Sequence, residues 1–237
     1  MSIIKRTLAI CSIFLVAACG AQTIEPLDYT AFRDSAPKSV LVLPVVNSSN
    51  EAEAADFFLT TAPIPLAEKG YYVFPINMVK KSMENDGLAD AAMVHAADPI
   101  RVGELFGADM ILYVEIVEWD AKYVVLASGV QVGFKYKLVD AKTGADLWHN
   151  TASYFHDTSG STGNIFADLI ATALTAAVNN MRSDYTNLAS TANNMAFITP
   201  KRGLPAGPHS PQFGLDLEAF PKTGSGWKGE PREESPK

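Results

Sequence analysis

Thiols are scarce in this chain, with two cysteines in 237 residues, which excludes a disulfide scaffold. Basic residues are also few. Lys and Arg number 19 against 26 Asp and Glu, a poor footprint for a nucleic-acid binder, which concentrates basic residues on one face, so no nucleic-acid partner is expected. No Gly-x-Ser-x-Gly elbow, Gly-Lys-Ser/Thr phosphate loop or His-Glu-x-x-His zinc helix occurs, which removes the common hydrolase, nucleotide-binding and metalloprotease signatures. The apolar run Thr7 to Ala18 holds 12 residues and would reach only about 18 Å as a helix, against a hydrocarbon core of about 30 Å. It is too short to span a bilayer. What is present, 48% apolar and 10% aromatic residues, is the composition of a globular protein rather than a collagenous or wholly disordered one.

The amino terminus has the layout of a secretory signal: Lys5 and Arg6, then Leu8 to Val16, then small residues. Val16-Ala17-Ala18-Cys19 resembles the bacterial lipobox, with Val16 where leucine is commoner. The resemblance implies that residues 1–18 are a lipoprotein signal peptide and that Cys19 carries diacylglycerol through a thioether and becomes the mature amino terminus. Cys11 is then discarded. Loss of Lys5 and Arg6 takes the net charge from −7 to −9, so anionic headgroups offer no attraction and the acyl chains must supply the anchor. Gly20 and Ala21 follow the cysteine in place of the aspartate that marks inner-membrane retention in Gram-negative bacteria. The pattern looks like an outer-membrane destination with the domain on the periplasmic face.

Residues 19–38 lack a period and read as a tether. Residues 200–237 hold seven of the fourteen prolines and six of the sixteen glycines and read as a disordered tail, with Trp227 a possible docking motif. Residues 39–199 form the expected domain. Strand runs lie at 39–46, 71–74 and 110–117, separated by stretches long enough for helical crossovers at 52–69, 77–86 and 98–106, which permits parallel pairing. Asp98-Pro99 suits the start of the last of these helices. Val130 to Leu138 alternates with polar residues, Asp140-Ala141-Lys142-Thr143-Gly144 is a turn, and Asp146 to Phe155 returns as an antiparallel meander. Apolar residues from Ile165 to Leu188 recur at three and four, giving a long helix over 164–190 that Ser161 or Thr162 could cap. The fold expected is a single α/β domain: a mixed sheet, parallel in its first half and antiparallel in its second, covered by helices including a long C-terminal one.

Chemistry-bearing residues are thinly spread. Of the four histidines, His95, His149, His156 and His209, the middle two stand seven apart on one strand, an odd spacing that sends them to opposite faces. His156 and Asp157 before Ser159, Ser161 and Thr162 hold the residue types of a hydroxyl nucleophile with base and orienter, though sequence neighbours in a loop rarely reach that geometry. Ser159-Gly160-Ser161-Thr162-Gly163 reads as a capping loop. Glu115 and Glu118, three apart on a strand, should point oppositely; Asp109, before the strand, reads as a turn residue, and Glu68 completes the carboxylates considered. Of Tyr71 and Tyr72 one should face the core and the other solvent, where it could anchor an interface. No catalytic, metal or cofactor site is expected.

Val40-Leu41-Val42-Leu43-Pro44, the segment from Pro65 to Pro75, Leu105-Phe106-Gly107-Ala108-Asp109 and the segment from Asp140 to Trp148, together with the lipobox, resemble a family of bacterial outer-membrane lipoproteins of unknown function, over about residues 19–195. More distantly, the order of elements is similar to the curli-secretion lipoprotein, the lipoprotein activators of penicillin-binding proteins and the N-terminal domain of TolB. These resemblances imply an accessory or docking subunit of a cell-envelope assembly for transport or cell-wall synthesis, with an envelope protein as partner and no cofactor. The alternative is a periplasmic hydrolase using His156, Asp157 and a loop serine. If Cys19 is the lipidated terminus, mass spectrometry of the native amino-terminal peptide should find a modified peptide beginning there, and Cys19→Ala should leave an uncleaved, unlipidated precursor. An unmodified peptide starting elsewhere would remove the anchor.

Overall fold

The computed structural model describes residues 27–124, 127–157 and 186–222. Its centre is a six-stranded mixed sheet. In chain order the elements are α1 (Thr30–Ser35), β1 (Ser39–Val42), β2 (Val46–Asn47), α2 (Ala54–Thr61), α3 (Pro63–Glu68), β3 (Tyr72–Val73), α4 (Ile76–Asn85), α5 (Ala91–Ala96), α6 (Pro99–Phe106), β4 (Met110–Val124), β5 (Ala127–Asp140), β6 (Asp146–Asp157) and α7 (Thr186–Ile198). The strand order is β3-β1-β4-β5-β6, with β2 also on β4. β1 runs parallel to β3 and β4, each reached through helical crossovers, and β4, β5 and β6 are antiparallel. This is the mixed architecture that the strand spacing predicts.

Because β1 is buried on both faces, its alternate residues serve two cores. Val40 and Val42 join Leu112, Val114, Phe134 and Tyr136 under α2, α3 and α7, whereas Leu41 and Leu43 meet Val79 of α4, Val94 of α5 and Val102 of α6. Asp98 accepts the Ile100 N–H at 3.1 Å, Pro99 opens α6, and Gly107 (φ 68°) closes it in the left-handed region. The short helix α5 lies outside the expected set. Its cap is nevertheless written in the sequence, since Asp90 accepts the Met93 N–H at 3.1 Å.

Both ends expected outside the domain are partly inside it. Of the tether 19–38, residues 27–38 are packed: Leu27, Tyr29 and Phe32 are buried in the main core. Of the tail 200–237, residues 200–222 form a strap that closes the same core, with Leu204, Ala206 and Phe220 buried. Three enclosed aromatic side chains donate to carbonyls of the strap: Trp148 Nε1 to Arg202 at 2.8 Å, Tyr29 Oη to Gly203 at 2.7 Å and Tyr71 Oη to Pro205 at 2.8 Å. The glycines that suggested disorder mark close backbone approach instead. A Cβ on Gly203 would stand 2.4 Å from the Phe197 carbonyl oxygen, and one on Gly207 would stand 2.6 Å from that of Gly70. Most of the expected helix 164–190 and its Ser161 or Thr162 cap lie outside the described residues, as do residues 1–26 and 223–237; α7 carries its last part.

Truncation after Pro200 should therefore destabilise the fold severely. Leu204 and Phe220 alone account for about 1.5–3 kcal/mol each of apolar burial, and the three aromatic donors lose their acceptors. Urea unfolding should show a much lower midpoint than the full chain. Equal midpoints would mean that the strap is incidental.

Candidate functional site

The densest polar cluster joins the start of β1, the start of β4 and the β5–β6 turn. Asp109 Oδ2 accepts from the N–H groups of Lys38 (3.1 Å) and Ser39 (3.2 Å) and from Ser39 Oγ (3.1 Å), while its Oδ1 accepts from Lys142 Nζ at 2.9 Å. Asp140 organises the turn: its Oδ1 accepts from the N–H groups of Lys142 (2.9 Å) and Thr143 (2.8 Å), and its Oδ2 accepts from Ser35 Oγ. Burial works to raise both carboxyls. The hydrogen bonds from Lys142, Lys38 and Ser39 to Asp109, and from Ser35, Thr143 and Lys142 to Asp140, outweigh it and hold both below the ordinary aspartate value. Ser, Lys and Asp together superficially suggest a nucleophile with its base. A carboxylate with a depressed pKa is a poor base, however, and Ser39 Oγ also accepts the Asp109 N–H at 3.0 Å, so the groups are committed to joining strands. Asp109 is thus a strand latch rather than a simple turn residue.

On the sheet face away from the main core, Tyr113, Lys137 and His149 form one row and Glu115, Lys135 and Thr151 the next. Lys135 pairs with Glu115 at 3.2 Å and Lys137 with Asp146 at 2.9 Å. The expectation that Glu115 and Glu118 point oppositely is corrected here. A bulge between Ile116 and Glu118 inserts one residue, so their partners are Lys135 and Gly133, two apart, and both glutamates lie on this face. Its signal was the break of alternation at Ile116-Val117.

His95 stands at the margin of this face, with Nε2 2.9 Å from the Pro44 carbonyl and its ring edge-on to Tyr113 at 5.2 Å. That carbonyl can only accept, so Nε2 carries the proton. Burial pushes the imidazole below its ordinary pKa, against the opposing pull of the Pro44 carbonyl and Glu115. Tyr113 is pushed up to about 12 by burial and by the negative charges of Asp98 and Asp146. His149 and His156 both fall on β6, and the pairing register runs unbroken from Lys137↔His149 to Val130↔His156, so their odd spacing stands. The loop with Ser159, Ser161 and Thr162 that would complete a hydrolytic set with His156 and Asp157 lies outside the described residues. No three His, Cys, Asp or Glu side chains among the described residues are grouped as a metal site. A cleft of about 140 Å³ between α2, α4 and the start of α5 is small for an organic ligand.

The sheet edge at β3 is apolar and aromatic. Tyr71 turns inward and is buried, while Tyr72 turns outward and is 53% exposed, as alternation requires. Tyr72 stacks edge-on against Phe74 at 5.1 Å, Phe74 against Phe106 at 6.4 Å, and the neighbouring Leu105 is exposed. This edge was legible only at Tyr72; α6 brings Leu105 and Phe106 to it.

A family model described as "Putative lipoprotein GNA1162-like" matches residues 27–209. The chain belongs to this family. The resemblance read from the sequence is thereby borne out, and the match extends past residue 195 into the strap. A "Putative lipoprotein NMB1124/NMB1162" of Neisseria meningitidis serogroup B is 31% identical over 185 residues, covering 78% of this chain and 86% of that protein. The crystal structure of lipoprotein GNA1162 from Neisseria meningitidis is 32% identical, with a TM-score of 0.51 over 61% of this chain and 99% of that one. The LpoB C-terminal domain from Salmonella enterica is 18% identical, with a TM-score of 0.38 over 53% of this chain and 91% of that one. Among the described residues of this GNA1162-like protein no helix is long and apolar enough to cross a membrane.

The latch predicts acid sensitivity. With folded-state pKa values below the ordinary 3.8, Asp109 and Asp140 contribute stability that is fully present above that value and is lost as pH falls through the depressed values. Asp109→Asn should make the acid-to-neutral shift in unfolding midpoint smaller than the parent's, leaving the share that Asp140 contributes. An unchanged acid limb in urea melts would show that Asp109 is not the group responsible.

Proposed function

We propose that this protein is an outer-membrane lipoprotein, anchored through lipid on Cys19 after removal of residues 1–18, whose periplasm-facing domain docks onto another envelope protein as an accessory subunit without doing chemistry. Its family supports the lipoprotein reading. The observation that carries the docking reading is the β3 edge, where Tyr72, Leu105 and the edge-on stack of Tyr72, Phe74 and Phe106 present aromatic and apolar surface beside a two-residue edge strand. Rigid aromatics are the usual anchors of protein interfaces, and an exposed strand edge can add a further strand from a partner. The polar groups nearest in kind to catalytic machinery, Ser39, Asp109 and Lys142, are occupied in holding β1, β4 and the β5–β6 turn together.

A photo-crosslinking amino acid in place of Tyr72, in intact cells, should yield one dominant adduct with an envelope protein, whereas the same group in place of Lys137 should not. Tyr72→Ala should then weaken cellular function while leaving the thermal midpoint nearly unchanged, as expected for an exposed side chain. Absence of any adduct at 72 would defeat the β3 assignment. A loss of function on His156→Ala approaching that of a deletion, with the fold retained, would favour a hydrolase.

A further inference from the structure

The strap presents a second apolar surface. Phe213, Leu215 and Leu217 are 54%, 75% and 55% exposed, three large side chains within five residues. Their backbone is held firmly. Asp216, between the two leucines, turns inward, where its Oδ1 accepts from Arg33 Nη2 at 2.8 Å and its Oδ2 from the Ala206 N–H at 2.6 Å. Arg33 also donates to the Phe220 carbonyl at 3.0 Å, and Lys69 stands 4.7 Å over the Phe220 ring. Leucines fixed outward on a pinned loop keep their apolar surface in water at a cost that a covering partner would remove.

What covers them is indicated by where the chain's amino-terminal segment joins the fold. Leu27 donates its N–H to the Lys201 carbonyl, Tyr29 donates its own to the Pro221 carbonyl, and the Tyr29 ring meets Phe220 at 5.4 Å. The amino terminus therefore meets the domain on the strap itself, through the helix whose Arg33 holds Asp216. From Cys19 to Leu27 there are eight Cα steps, which reach at most about 29 Å. A domain of this size is about 40 Å across. A lipid on Cys19 thus cannot let the domain turn its opposite side to the bilayer, and the strap side is kept toward it.

We infer that Phe213, Leu215 and Leu217 form a membrane-contacting tip that inserts into the phospholipid interface beside the Cys19 anchor and sets the orientation of the domain. The inference rests on the proposed lipidation at Cys19. With one end tethered, three apolar side chains need not bind membranes by themselves; they select one orientation among those the tether allows. The acidic chain has no electrostatic attraction to anionic lipid, so the contact should be insensitive to salt.

The test supplies the tether chemically. Residues 19–237 contain a single thiol, Cys19, which can be coupled to a maleimide phospholipid in vesicles of phosphatidylethanolamine with a minor share of phosphatidylglycerol. A tryptophan introduced as Leu215→Trp should be quenched by brominated acyl chains, relative to the parent, about threefold or more above one introduced as Met93→Trp at an exposed position on α5. The difference should persist in high salt. Equal quenching at 215 and 93 would overturn the inference, as would crosslinking of tethered copies through residue 215, which would assign the patch to a second copy of the chain. Because the anchor is added by hand, this result does not depend on what cells attach to Cys19; mass spectrometry of the native amino-terminal peptide decides that separately.

Discussion

Three hydrogen bonds from enclosed aromatic side chains to one extended segment hold this fold closed. Trp148 on β6, Tyr29 before α1 and Tyr71 before β3 come from three separate parts of the chain, and their donors converge on the carbonyls of Arg202, Gly203 and Pro205. Each buried donor would cost about 1–3 kcal/mol if left without an acceptor. The strap supplies all three acceptors and at the same time inserts Leu204 into the core. Proline suits this segment, because its restricted backbone lowers the entropy lost on ordering. Glycine suits it too, because residues 203 and 207 run against backbone where no side chain fits.

The strap in turn couples the two ends of the described chain. Arg33 of α1 bonds both Asp216 and the Phe220 carbonyl, and Lys222 pairs with Asp34 at 2.6 Å. The segment from Leu27 to Ser35 thus packs against the strap as well as against the main core.

Surface and chemistry are divided in a way that favours recognition. The charged groups with depressed pKa values, Asp109 and Asp140, sit at strand starts and turns and act on the scaffold. The β4–β6 face carries matched pairs such as Lys135 with Glu115. The unmatched features are apolar: the aromatic β3 edge and the leucines of the strap.

Much of this was readable from the sequence, for local physical reasons. Strand and helix periods, the Asp98-Pro99 start of α6, the turn from Asp140 to Gly144 and the opposite facing of Tyr71 and Tyr72 depend on neighbours within a few residues, and all appear as expected. The lipoprotein family was likewise legible from local motifs. Other features were decided only in three dimensions. Placing Glu115 and Glu118 on one face needed the pairing of β4 with β5, because a bulge is defined by the opposing strand. The lack of a period over residues 27–38 and the composition of residues 200–222 suggested that both would stay outside the domain; in fact they bury Tyr29, Phe32, Leu204 and Phe220, since the acceptors, the close-packed backbone and the ion pair that make such segments worth ordering come from residues far away in the chain. Sequence by itself determined most of the elements, the sheet class and the family. Tertiary structure decided which ends belong to the core and which apolar side chains remain outside it, because burial is a property of the assembled neighbours and not of the residue.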